Sequence, residues 1–178
     1  MANPTAKAMQ RDVSKTSDQA GACREEWWRF PGLRASSDQD AGGVDIIYYF
    51  ENPKAEDMVI KEAFAVVETA SGNVATDLDI GLGDDATGAN KGAEIADGLV
   101  AATLNATGVK RLMAPLVLAT PPNAPILKAK GTATDSFLIV TQNGDVDASA
   151  LRWTFLVKVI PYNDLLNGNV DVGAIAVA

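Results

Sequence analysis

The stretch DLDIGLGDD, residues 77–85, places Asp77, Asp79, Asp84 and Asp85 close together, and carboxylates so grouped are hard oxygen donors of the kind calcium takes. The spacing does not make an EF-hand loop. Counted from Asp77, Gly81 stands at the fifth position, Leu82 at the sixth and Gly88 at the twelfth, where that loop needs an oxygen donor, a glycine and a glutamate. What remains is at most a weak calcium loop closed by Asp84 and Asp85. Gly81, Gly83 and Gly88 also fail as a dinucleotide fingerprint: the third glycine would fall on Ala86, and two aspartates would face the pyrophosphate. A strand running into a turn is the better reading. No phosphate-binding G-x-x-x-x-G-K-[ST] loop and no G-x-S-x-G elbow occurs.

Asp84/Asp85 and Glu25/Glu26 are the adjacent carboxylate pairs with a candidate role in acid–base or glycosidase chemistry. Neighbours in a strand point to opposite faces, so such a pair does not form the facing dyad, about 5–10 Å apart, that glycoside hydrolysis uses. Cys23 lies beside Arg24, which would favour its thiolate, but the chain has no histidine to serve as base, and an ordinary free thiol is expected. With one cysteine and no histidine, an intrachain disulfide, a Cys/His zinc site and histidine-based catalysis are excluded by inventory. The residues give no catalytic constellation, no cofactor site and no metal site, and the expected role is not enzymatic.

The elements around these residues read as strands. GVDIIYYF (43–50), MVIKEAFAVVET (58–69), VATDLDIGLG (74–83), VKRLMAPLVLAT (109–120), PILKAKG (125–131), SFLIVTQ (136–142) and LRWTFLVKVIPY (151–162) are β-branched, aromatic or alternating runs between Gly/Pro/Asn/Asp turns. In the second run, period-two alternation puts Ile60, Phe64 and Val66 on one face; in the third, Leu78, Ile80 and Leu82 point inward, and Asp77, Asp79 and two glycines form a wet face. Segment 91–108 carries Ile95, Leu99 and Leu104 near helical spacing, weakened by Gly92 and Gly98, and reads as a short helix or irregular loop. The C-terminal NGNVDVGAIAVA reads as a further short strand or a second arm. About eight strands predict an all-β fold, a β-sandwich or jelly roll, for residues 41–178.

Residues 1–40 lack sustained periodicity and read as an extended N-terminal arm. The arm carries the cluster CREEWWRFPGLR, and an unfolded tail has no core in which to bury aromatic rings. Trp27, Trp28 and Phe30, interleaved with Arg24, Arg29 and Arg34, therefore read either as an anchor for a partner surface or as a segment packed back on its own domain.

At 178 residues, the chain is long enough for one core and an arm. Its net charge of −8 sits wholly in the body: six Lys/Arg meet six Asp/Glu in residues 1–40, and nine meet seventeen in residues 41–178. An acidic body without a basic stripe argues against a nucleic-acid partner. No apolar h-region and no run of 18 apolar residues occurs, so neither a signal peptide nor a membrane span is expected, and maturation in a cytosol is.

With these elements in place, residues 57–109 resemble the body of tailed-bacteriophage head decoration, or cement, proteins. The likeness is carried by MVIKEAFAVVETASGN, by the strand and turn DLDIGLGDDAT, and by the small-residue stretch AEIADGLVAATLNATGV. It covers about a third of the chain and has no catalytic residues to carry over. The resemblance implies a β-sandwich or jelly roll on the outer surface of an assembled capsid, made in the host cytoplasm, bound to the major capsid protein and commonly homotrimeric. Another virion subunit (tail tube, head–tail connector or fibre-associated) and a carbohydrate-binding sandwich are the alternative readings.

Overall fold

The computed structural model describes residues 7–9, 12–15, 25–35, 44–70, 77–88, 90–99, 104, 106–113, 125–143 and 150–166. Along the chain these form β1 (Lys7–Ala8), β2 (Asp12–Lys15), β3 (Glu26–Arg34), β4 (Val44–Glu51), β5 (Met58–Thr69), β6 (Asp77–Gly83), β7 (Ala96–Leu99), β8 (Gly108–Arg111), β9 (Ile126–Leu127), β10 (Phe137–Asn143), β11 (Arg152–Pro161) and a short helix α1 (Tyr162–Leu166). The chain is all-β, with more strand segments among the described residues than the eight or so expected.

Two sheets result. One has the order β1-β4-β10-β6-β7; the other has the order β2-β3-β11-β5-β8, with β9 paired to the start of β5. Every pairing is antiparallel except β1 against β4. The inner faces meet through aromatic rings: Phe50 of β4 lies 4.9 Å from Phe30 and 5.6 Å from Trp28 of β3, both edge-on. Phe30 in turn stacks on Phe155 of the neighbouring β11 at 5.7 Å. Leu78, Ile80, Leu138 and Val140 from the first sheet and Trp153, Phe155 and Val157 from the second fill the remaining core, where each buried side chain contributes on the order of 2 kcal/mol.

Residues 26–34 are not part of an arm. They form β3, paired to β2 on one side and to β11 on the other, so part of the expected arm is a strand inside the sandwich. Sequence alternation missed it because Pro31 and Gly32 interrupt WWRFPGLR. The register slips there: Phe155 faces Phe30 while Trp153 faces Leu33, and Gly32 takes φ +69°, a conformation open to glycine without a steric penalty. Past the bulge Leu33 and Ala35 return to the core.

Two further expectations change. In β5 a slip between the Lys158–Glu62 and Val159–Ile60 pairs inserts Lys61, so Ile60, Ala63, Ala65 and Val67 are buried, and Phe64 and Val66, expected beside Ile60, lie on the outer face. In segment 91–108, expected as a short helix or an irregular loop, Ala96–Leu99 is a strand, β7, with Leu99 opposite Leu78 and Ala96 opposite Ile80, and Leu104 is helical. Residues 167–178, read as a strand or second arm, lie outside the described residues.

Candidate interaction surface

The DLDIGLGDD stretch closes a strand and builds a corner. Asp85 Oδ1 accepts from the Thr87 backbone N–H at 2.8 Å and from its hydroxyl at 2.7 Å. Asp84 accepts from Asn90 Nδ2 at 2.7 Å and from the Asp135 backbone N–H at 3.0 Å. These carboxylates therefore hold turn donors. Among the described residues, no group of three or more His, Cys, Asp or Glu side chains is arranged to hold a metal ion.

The glycine face of β6, expected to be wet, is covered. The chain after the turn folds back so that Gly92 N donates to Leu82 O at 2.8 Å and Ile95 N to Ile80 O at 3.0 Å. Glu94 Oε2 accepts from Leu82 N at 2.9 Å. A Cβ on Gly81 would stand 2.0 Å from the Gly92 carbonyl oxygen, so glycine is required here for close backbone approach. Glu94 and Asp84 also face Asp135. Burial first, and then the charges of Asp84 and Glu94, push the Asp135 carboxyl above its ordinary value, against a smaller opposing effect of Lys128.

Glu25 and Glu26 serve different partners. Glu25 lies between Lys61, at 3.0 Å, and Lys158, at 2.5 Å. Burial raises its pKa, but hydrogen bonds from Lys158 and Lys61, with their charges, outweigh burial and hold the carboxyl below its ordinary value. Glu26 accepts from Lys54 Nζ at 2.7 Å and from Trp28 Nε1 at 2.9 Å. Neither pair forms a facing dyad.

The six residues read as an anchor divide by strand parity. Trp28 and Phe30 are wholly buried in the core, where they cannot meet a partner, and this corrects the anchor reading for both. Trp27 is half-buried and Arg29 and Arg34 are exposed; the Arg34 backbone N–H donates to Tyr48 Oη at 2.8 Å. Arg24 lies outside the described residues, as does Cys23.

On the outer face of the second sheet, Trp27 meets residues that sequence reading had not joined to it. Its ring lies 6.0 Å from Phe64, Lys158 Nζ stands 5.8 Å over the Trp27 ring, and the Arg111 guanidinium stands 5.8 Å over Phe64. Leu156 lies opposite Arg29 and Phe64, and Val66 lies opposite Val109, which is 67% exposed. The result is an apolar row from β3 to β8 with cations over its rings, a composition enriched where proteins bind proteins. The alternation of β5 would have shown this face had the Lys61 bulge been legible.

Asn52, also missed by sequence reading, pins the far end of the sandwich. Wholly buried, its Nδ2 donates to the carbonyls of Glu56 at 3.0 Å, Lys128 at 2.8 Å and Leu127 at 3.4 Å, and its Oδ1 accepts from Lys54 N at 3.0 Å. This role is structural.

No protein-family model, no curated protein and no solved structure matches the chain.

Proposed function

We propose that this chain is a structural, non-enzymatic protein of a virion surface: a capsid decoration protein with a jelly-roll-type sandwich that binds the major capsid protein on the outside of an assembled phage head. The observation that carries the reading is the outer sheet face, where Trp27, Phe64 and Leu156 present apolar surface on a scaffold whose carboxylates at Asp84, Asp85, Glu25 and Glu26 are engaged in turns and ion pairs. The likeness of residues 57–109 to head decoration proteins supplies the partner, the homotrimer and the virion location. Function is then binding: contacts made only to the mature lattice stabilise that lattice by mass action.

The capsid contact falls to the outward side chains of β3, Trp27, Arg29 and Arg34. The test is co-sedimentation of the full chain with capsids stripped of this component. A deletion of residues 1–40 would remove β3 from the sheet, so the comparison is a point variant. A Trp27→Ala/Arg29→Glu double variant retains the core face of that strand. Saturable binding by the full chain, at least tenfold weaker in the double variant, is expected. A full chain that stays in the supernatant, or binds glycans instead, refutes the capsid reading.

A further inference from the structure

The opposite flank of the same sheet has a feature that the capsid contact does not use. Strand β8, GVKR, ends the order of the sheet among the described residues. Gly108, Val109 and Arg111 are exposed and Lys110 is half-buried. Edge strands are ordinarily protected by charge, and Lys110 and Arg111 fit that rule. Val109 does not: it is 67% exposed and continues the apolar row through Val66 and Phe64. Arg111 is held over the Phe64 ring at 5.8 Å, so its guanidinium is placed on the sheet face. Acidic groups of this flank are already engaged in part: Glu68 Oε1 accepts from the Thr154 hydroxyl at 2.8 Å.

The other sheet carries the complementary charge. Asp84, Glu94 and Asp135 converge where β6 leaves the sheet, and Asp97 is exposed on the neighbouring β7. Lys128, whose charge acts on Asp135, also bonds Asp57 at 3.0 Å, and Lys91 lies in the same loop. Mutual repulsion among these carboxylates would be relieved by a cation from outside. In a chain of net charge −8, the cationic, apolar β8 flank and this carboxylate group are complementary in charge and belong to different sheets.

We infer that the β8 flank of one copy, with Val109 and Arg111, docks on the Asp84–Glu94–Asp135 side of a second copy, in a head-to-tail contact. Such an interface is heterologous: each copy offers two unlike surfaces, and further copies add until a ring closes or a stack grows. The contact does not depend on the capsid reading, and its test contains no capsid.

The experiment is sedimentation velocity on the full chain and on two charge reversals, Arg111→Glu and Asp135→Lys, with far-ultraviolet circular dichroism confirming that each is folded. The wild type should gain mass with concentration, and rising salt should weaken association. Each variant alone should associate at least tenfold more weakly. Mixed in equal amounts, the two variants should associate again, because the intact carboxylate side of Arg111→Glu meets the intact β8 flank of Asp135→Lys, and the two reversed surfaces are themselves opposite in charge. A monomeric wild type at millimolar concentration, variants that associate like wild type, or a mixture that stays monomeric overturns the proposal. If a variant fails to fold, Val109→Glu or Glu94→Lys replaces it in the same scheme.

Discussion

Trp27 and Trp28, adjacent in the chain, face opposite sides of one sheet: the Trp28 ring lies 5.6 Å from Phe50 inside the sandwich, and the Trp27 ring lies 6.0 Å from Phe64 outside it. Truncating them should therefore give unequal results. Trp28→Ala empties a core site and is expected to cost about 3–5 kcal/mol, whereas Trp27→Ala should cost about 1 kcal/mol or less. Urea denaturation of the two variants measures the difference, and equal losses would place Trp27 in the core.

Gly81→Ala tests the folded-back loop. The added methyl would stand 2.0 Å from the Gly92 carbonyl and 2.5 Å from Glu94 Oε2, and overpacking against backbone costs about 1–3 kcal/mol. Thermal denaturation should show a clear fall in Tm. An unchanged Tm would mean that the 92–95 segment does not cover β6.

Asn52→Ala removes from a wholly buried position the two N–H donors that three backbone carbonyls share and the oxygen that accepts from Lys54 N. The expected loss is about 2–4 kcal/mol, with faster amide exchange at Lys54. Protection that survives the substitution would show that the loop is held by other contacts.

Glu25 predicts an acid-sensitive term. Its folded pKa is depressed, so its contribution is present above the unfolded value and is lost as pH falls through the folded value. Glu25→Gln should be less stable than wild type at pH 7 by about 1 kcal/mol or less. The two curves of stability against pH should converge once pH falls below the folded value. Parallel curves over the whole range would refute the pairing with Lys61 and Lys158.

Asp135 predicts the reverse slope. Burial and the charges of Asp84 and Glu94 raise its folded pKa, so the stability it contributes is present at low pH and is lost as pH rises through that value. Its backbone φ of +51° also suits asparagine. Asp135→Asn should raise Tm at neutral pH, with the gain vanishing in acid. A gain equal at both pH values would assign the effect to backbone conformation alone.

Much of this architecture can be read from the residues. Strands β4, β6, β10 and β11 fall where β-branched alternation put them, because one face of each meets a core and the period of two survives. Three features were hidden, each by local geometry. In β3, Pro31 and Gly32 break the pattern that the bulge then restores. In β5, Lys61 shifts the faces, so Ala63 and Ala65, weak apolar signals, are buried while Phe64 is not. In β7, small residues between Ile95 and Leu99 satisfy helix and strand spacing alike, and pairing to β6 decides between them. The outer row from Trp27 to Val109 joins four strands distant in sequence, and no single stretch announces it.

The strand orders also govern when the molecule can fold. In one sheet β10 lies between β4 and β6, and in the other β11 lies between β3 and β5, so the seam of each layer is synthesised after both of the strands it joins. A chain emerging from the ribosome carries two unjoined halves of each layer until Phe137–Pro161 appears. Such long-range closure gives a high contact order and slow, late folding. Nascent chains stalled before Phe137 should be digested readily by protease, and chains released beyond α1 should resist it.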